Sequence, residues 1–256
     1  MPLLESMPMI EFDAEVIKQF GVAWRLGGPV NRKGKTVHEK NLLQRGGPYS
    51  SSNLGIEANK AVARSLQKMF GEHKFRIITP SASALLPPDP YCIELDRVRV
   101  IGGVRPQNYD VVYRPDGVRF AFDSKTLNDT SSIRKNYQNM INDLGTEATT
   151  AHTRFPYAVV AFMFLIPAPC WDELSAAVRR GIIGSLERLY GRVDVNDAPY
   201  KAEAMTLGGW DPDTGTFRKN FPYADSPLTI ENFSQSVSHI YTNRYQGLDP
   251  HTEEKK

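Results

Sequence analysis

The continuous apolar segment YAVVAFMFLI, residues 157–166, constrains the fold more than any other part of the sequence. A run of this kind lacks the polar alternation of a half-exposed strand and is typical of a strand buried on both faces of a sheet. Such a strand needs helices on each side to exclude water. Pro167 and Pro169 interrupt the run, which is too short to span a bilayer. The segment therefore predicts an interior strand of a layered α/β protein.

Apolar residues at helical spacing and short β-rich runs surround this segment. The spacing predicts helices over 10–20, 54–70, 131–152 and 171–190, and over 227–245 with Ser226 as the cap. Strands are expected over 75–79, 91–101, 109–113 and 118–125. From 54 to 166 the order is helix, three strands, helix, strand, which predicts an α/β sandwich with a mixed central β-sheet flanked by helices.

We expect a single domain, because the sequence contains no repeat and no low-complexity linker. Its core would occupy 54–166. Residues 1–53 would form a basic N-terminal arm and helix, and 167–256 would supply C-terminal helices and a hairpin for recognition or dimerisation. Cys92 and Cys170 are far apart and lack metal-ligand spacing, which predicts buried free thiols in a reducing compartment. The start of the chain lacks the basic region of a signal peptide, so we expect a cytoplasmic protein.

The stretch YDVVYRPDGVRFAFDSK, residues 109–125, predicts a β-hairpin that carries acids and a lysine on one face. Pro115 and Gly117 are turn residues. One register places Asp110 opposite Asp123, with Cβ atoms roughly 4.5–5.5 Å apart. The alternative makes them diagonal, about 7–8 Å apart. Lys125 shares a face with Asp123 because the two are two residues apart on a strand.

Neighbouring carboxylates repel and raise each other's pKa unless a cation lies between them. Mg²⁺ suits such a pair, because it takes oxygen ligands and keeps several waters when one or two carboxylates hold it. In this setting Lys125 could position or activate a water, or stabilise charge in the transition state.

Asp110, followed after twelve residues by Asp123-Ser124-Lys125, resembles the motif of the PD-(D/E)xK nuclease superfamily. The order of elements from 54 to 166 is similar to the core of that superfamily, which includes most type II restriction endonucleases. The likeness covers less than half of the chain. Tyr109 stands where the motif has proline, and the literal Pro115-Asp116 pair falls in the turn, so we assign the first acid to Asp110.

The resemblance implies a Mg²⁺-dependent restriction endonuclease that cuts double-stranded DNA as a homodimer and leaves 5′-phosphate ends. Asp110 and Asp123 would hold the metal, and Lys125 would assist the water. Glu57 matches an additional glutamate of the family, although a glutamate in the first turn of a helix is also favoured by the helix dipole. A second metal ion, or Mn²⁺ in place of Mg²⁺, is compatible with the family pattern.

Several polar residues are candidates for DNA contacts. They are Arg32, Lys33, Lys35 and Arg45 in a basic glycine-rich segment, Asn128, Arg134, Lys135 and Gln138 after the motif, and Arg218 and Lys219 in a predicted hairpin at 210–223. A net charge of only +2 permits a polyanionic partner without requiring one. Two alternatives remain open: a structure-specific repair or recombination nuclease of the same fold, and a DNA-binding protein without catalytic activity.

Overall fold

The structure is a computed structural model that describes residues 4–27, 51–81 and 83–252. The helices are α1 (Ala14–Gly27), α2 (Ser51–Phe70), α3 (Thr130–Arg154), α4 (Ala168–Asp172), α5 (Ala176–Leu189) and α6 (Ile230–Tyr245). The strands are β1 (Arg76–Ile78), β2 (Cys92–Ile101), β3 (Pro106–Tyr113), β4 (Phe120–Thr126), β5 (Val159–Pro167) and β6 (Ala204–Trp210). No helix in these ranges is both long and apolar enough to cross a membrane.

The six strands form one mixed sheet in sequence order, β1 to β6. Strands β2, β3 and β4 are antiparallel neighbours, whereas β1–β2, β4–β5 and β5–β6 pair in parallel. All nine residues of β5 are buried, as the apolar run predicts. The fold is therefore the α/β arrangement expected from the sequence, with a mixed sheet and flanking helices.

Alternate residues of β5 enter two separate cores, one on each face of the sheet. Ala161 and Met163 pack with residues of α2 and α6. Val160 and Phe162 pack with residues of α3 and α5. Burial of apolar surface on both faces, worth about 25 cal/mol per Å², accounts for the absence of polar residues from this strand.

The C-terminal third departs from the sequence prediction in three places. The helix expected over 171–190 is two helices, because Ser175 caps a new one by accepting a hydrogen bond from the backbone N–H of Val178. Helix α6 is capped by Thr229, not Ser226. Strand β6 was not predicted, since Gly208 and Gly209 weaken its β pattern.

The two glycines of β6 are explained by close packing. A Cβ on Gly208 would lie 2.7 Å from Cδ2 of Leu165, and one on Gly209 would lie 2.9 Å from Cε2 of Phe221. Glycine is required at both positions because the neighbouring side chains leave no room for a Cβ, and not because the chain turns. The prediction of free, buried cysteines is confirmed for Cys92 and Cys170.

Candidate functional site

The register of the β3–β4 hairpin brings the two predicted acids opposite each other. Val111 pairs with Phe122 and Val112 with Ala121. Continuing this register by one residue places Asp110 opposite Asp123, just beyond the last paired residues. Of the two registers that the sequence left open, the structure has the direct one.

A β-bulge in β2 lies on the other side of Asp110. Leu95 pairs with Val111 and Val98 pairs with Tyr109, so Asp96 and Arg97 together face the single residue Asp110. Asp110 thus has no partner in the register of either neighbouring strand. Bulges of this kind terminate pairing locally and redirect side chains. Here the bulge opens the sheet where the two acids meet.

The opening is a cavity of about 560 Å³ at this end of the sheet. Its lining comes from α2, β2, β3, β4 and α3, and consists of Gly55, Ile56, Asn59, Asp96, Arg97, Asp110, Asp123, Ser124, Lys125, Thr126 and Met140. All three residues of the hairpin motif therefore face one shared space.

The carboxyl groups of Asp110 and Asp123 lie on adjacent strands and line the same cavity, so their charges interact. Burial, and next the charge of Asp123, raises the pKa of Asp110 to about 7. Burial, and next the charge of Glu147, raises the pKa of Asp123 to about 6, against the lowering effect of Lys125. Such shifts are expected when acids share a poorly solvated site, because burial and the neighbouring negative charge both disfavour ionisation.

Ser124 fixes the orientation of Asp110. Its backbone N–H donates to Oδ2 of Asp110 at 3.0 Å, and its hydroxyl lies 3.1 Å from the same oxygen. The hydroxyl is also 2.8 Å from Oδ1 of Asn59 on α2. Helix α2 approaches closely because Gly55 has no side chain; a Cβ there would lie 3.2 Å from the Ser124 hydroxyl.

Lys125 is held between two carboxylates. Its ammonium contacts Oδ2 of Asp123 and donates to Oε1 of Glu147 at 2.9 Å. Burial by itself lowers the pKa of Lys125, but the charges of Asp123 and Glu147 outweigh that effect and hold the pKa above its usual value. Lys125 is therefore a cation at neutral pH.

Glu147, on α3, is a site residue that the sequence analysis missed. Its carboxylate is buried and also accepts a hydrogen bond from Nε2 of Gln107 at 3.1 Å, while its Oε2 has no hydrogen-bond partner among the described residues. The signal was an acid within the apolar stripe of the helix, between Leu144 and Ala148. Asp96 and Arg97 were missed too; in the sequence the charges of 91–101 fall on both faces of the expected strand, which makes the strand pattern ambiguous.

Glu57 was proposed as a metal ligand, and the structure does not bring it to the cavity. Its carboxylate accepts hydrogen bonds from the backbone N–H of Asp13 at 3.1 Å and from Arg64 at 2.8 Å. Glu57 is buried against α1, and its bonds tie α2 to the start of that helix. This placement corrects the expectation: α2 contributes Gly55, Ile56 and Asn59 to the cavity instead.

The alternative acid, Asp116, also lies away from the cavity. It forms a two-point ion pair with Arg119 within the hairpin turn, at 2.8 and 2.6 Å. Tyr109, which stands in the proline position of the motif, is buried and donates its hydroxyl to the backbone carbonyl of Glu147 at 2.7 Å.

The predicted DNA contacts are scattered. Arg32, Lys33, Lys35 and Arg45 lie outside the described residues. Arg134, Lys135 and Gln138 are exposed on the first half of α3. The carbonyl of Asn128 accepts a hydrogen bond from Nε1 of Trp24 at 2.6 Å, and Asn128 does not line the cavity.

The segment 210–223 is a short turn, not an extended hairpin. Its pairing is limited to the bridge between Trp210 and Phe217, with a hydrogen bond from the N–H of Asp211 to the carbonyl of Thr216. Arg218 forms a two-point ion pair with Asp172, at 2.8 and 2.6 Å, so its guanidinium is already engaged. Lys219 is exposed.

Across the described residues, no three His, Cys, Asp or Glu side chains converge to hold a metal ion by themselves. The site instead offers two carboxylates, a serine and a lysine around an open space. Comparisons with protein-family models, with curated proteins and with solved structures found no match to this chain.

Proposed function

We propose that this chain is a Mg²⁺-dependent endonuclease that hydrolyses phosphodiester bonds in double-stranded DNA. The observation that carries the proposal is the direct opposition of Asp110 and Asp123 at an open end of the sheet, with Lys125 in the same cavity. A purely structural cluster would be expected to pair each acid with a cation. Here only Asp123 contacts a cation, Lys125, whereas Asp110 has no ion pair among the described residues, and burial and like charge raise the pKa of both acids.

The residues fit a magnesium ion that relies on the substrate for part of its coordination. Asp110 and Asp123 supply two hard oxygen ligands, and Mg²⁺ sites commonly consist of one or two carboxylates with waters and substrate phosphates. When bound, the ion lowers the pKa of a coordinated water and stabilises negative charge on phosphate oxygens. Because no third such side chain converges on the pair among the described residues, water and DNA would have to supply the remaining ligands.

Lys125 acts as a cation in this proposal. The carboxylates of Asp123 and Glu147 hold its pKa above the usual value, which favours the charged form. A charged ammonium can orient the attacking water or stabilise charge that develops on the phosphate. Glu147 and Asp123 hold that ammonium in place, and Ser124 holds Asp110.

Cutting both strands of a duplex in one binding event calls for two such sites, which a homodimer would supply. Two copies related by a two-fold axis would also match a palindromic DNA sequence. We therefore propose a type II restriction enzyme, and expect the protein to elute from size-exclusion chromatography with the mass of a dimer.

The test is digestion of a long unmethylated viral DNA with Mg²⁺ and, separately, with EDTA. Discrete fragments that depend on Mg²⁺ and carry one repeated end sequence support the proposal. A smear would indicate a structure-specific or non-specific nuclease. DNA that stays intact in every methylation state would overturn the proposed nuclease activity.

The matched variants are Asp110→Asn and Asp116→Asn, which change two acids of the same hairpin. Only Asp110 lines the cavity, so we expect Asp110→Asn to lose cleavage and Asp116→Asn to retain it. Equal loss of cleavage in both variants would show that cleavage depends on the hairpin as a whole and not on the pair of acids.

A further inference from the structure

The bulge in β2 presents two charged residues to the cavity. Asp96 and Arg97 are both exposed and both line the space around Asp110 and Asp123. They face Asp110 across the β2–β3 ladder. Arg97, on β2, therefore lies on one side of the two acids, and Lys125, on β4, lies on the other. With strands about 4.8 Å apart, β2 and β4 are roughly 10 Å apart across this edge.

The backbone conformation of the bulge is costly for these residues. Asp96 has φ 78° and Arg97 has φ 49°. This left-handed region suits glycine and is tolerated by Asp and Asn, but it is uncommon for a long side chain such as arginine. Conformations of this kind cluster at functional sites, where the surrounding structure maintains them.

The guanidinium of Arg97 has no partner within residues 4–27, 51–81 and 83–252. The buried arginines are engaged, Arg114 with Glu94, Arg119 with Asp116 and Arg192 with Glu203, whereas several exposed arginines, among them Arg99, have no partner among the described residues either; what distinguishes Arg97 from these is its place in the cavity lining. Of the two cationic residues that line the cavity, Lys125 is held by two carboxylates. Arg97 is therefore the cationic residue of the cavity lining that no described carboxylate holds, and its guanidinium is available to a ligand in the cavity.

We propose that Arg97 binds a backbone phosphate of the substrate strand, next to the phosphate that Asp110 and Asp123 address. The inference rests on the proposed nuclease function and names a positioning residue for it. A guanidinium can form two parallel hydrogen bonds to phosphate, and it keeps its charge at any physiological pH. A DNA strand crossing the open end of the sheet would meet Arg97 on β2 and the acids on β3 and β4.

The left-handed backbone provides a variant that removes the charge without endangering the fold. Arg97→Gly relieves the conformational cost, so we expect a melting temperature equal to or above that of the parent. The matched control is Arg99→Gly, which removes an exposed arginine from the same strand outside the cavity. Because glycine in that regular part of β2 lowers stability, binding is compared at a temperature at which both variants are folded.

DNA binding is measured by fluorescence anisotropy of a short labelled duplex in Ca²⁺, a cation that neutralises the carboxylates and is expected not to support cleavage. We expect Arg97→Gly to weaken binding about tenfold and to lower the slope of log K against log salt by about 1. Arg97→Lys keeps the charge but loses the two-point geometry, so its affinity for DNA should lie between those of Arg97→Gly and the parent. Arg99→Gly should bind like the parent.

Two results would overturn the inference. The first is an Arg97→Gly variant that binds DNA with the affinity and the salt slope of the parent. If glycine disturbs the fold, Arg97→Asn is measured in its place. The second is equal weakening in Arg97→Gly and Arg99→Gly, which would indicate a general loss of charge. A parent that binds and cuts DNA while Arg97→Gly behaves identically removes only this inference, whereas a parent that neither binds nor cuts removes the proposed function too.

Discussion

The ammonium of Lys125 and the carboxylate of Glu147 lie 2.9 Å apart, joining the last strand of the hairpin to the helix that follows it. The pair is largely buried, and Glu147 receives a further hydrogen bond from Gln107. Glu147 thereby fixes the position of a lysine that the motif alone would leave free to rotate.

Replacing Glu147 with Gln tests this positioning role. We expect kcat to fall about 10- to 100-fold, the loss typical of a displaced catalytic group. The charge of Glu147 also raises the pKa of Asp123, so the acidic limb of the pH–rate profile should move to lower pH. A normal profile with reduced kcat would mean that Glu147 acts only through packing.

Protonation of the paired acids predicts an unusual dependence of stability on pH. The unfolded chain loses these protons near pH 3.8, whereas folded Asp110 and Asp123 lose theirs at about 7 and 6. The folded protein therefore binds more protons between these values, and stability falls as the pH rises from about 4 to 7. Urea denaturation of the parent at pH 5 and pH 8 should show the difference.

Asp110→Asn should remove most of that dependence. The amide resembles the protonated acid, and it can still accept from Ser124 and donate to Asp123. We expect a gain on the order of 3 kcal/mol at pH 8 and little change near pH 4, measured by urea denaturation. Asp143→Asn, at an exposed position of α3 outside the cavity, serves as the control. An Asp110→Asn variant less stable than the parent at pH 8 would contradict the assigned repulsion.

Mg²⁺ should stabilise the protein only where the acids are ionised. A ligand that binds the folded state raises the melting temperature in proportion to the logarithm of its concentration. We expect an increase with Mg²⁺ at pH 8, a much smaller one at pH 5, and none in Asp110→Asn or Asp123→Asn. Equal increases in parent and variants would place the ion elsewhere.

A second buried cluster, centred on Glu203, stabilises the far edge of the sheet. Its carboxylate accepts hydrogen bonds from Arg192 and Arg244 at 2.7 and 2.8 Å and from the backbone N–H of Val160 at 2.8 Å, with His152 at 3.1 Å. Burial alone would raise the pKa of Glu203, but these partners outweigh it and hold the pKa below its usual value.

Glu203→Gln leaves buried cations without their counter-charge and should cost about 3–5 kcal/mol of folding free energy at pH 7. Because the pKa of Glu203 is lowered, its contribution is present above the usual glutamate range and is lost as the pH falls below it. The loss in the variant should therefore shrink in acid, as urea denaturation at pH 4 and pH 7 would show. A variant as stable as the parent would mean that the cations find other partners.

The sequence by itself determined the layered α/β class and the face shared by Asp123 and Lys125. Both follow from local periodicity: a strand alternates its side chains, and a run without polar residues needs cover on both sides. The turn residues limited the hairpin to two registers, and packing of Phe122 and Val111 into one core selected the one that opposes Asp110 and Asp123.

The tertiary structure decided the rest of the site. Glu57 and Glu147 both lie on helices beside the sheet, yet Glu57 binds Arg64 and Glu147 binds Lys125. The bulge that brings Arg97 to the cavity exists because β2 has one more residue than β3 at that point. Such contacts depend on how helices and strands distant in sequence pack together, and the local pattern of residues carries little information about that packing.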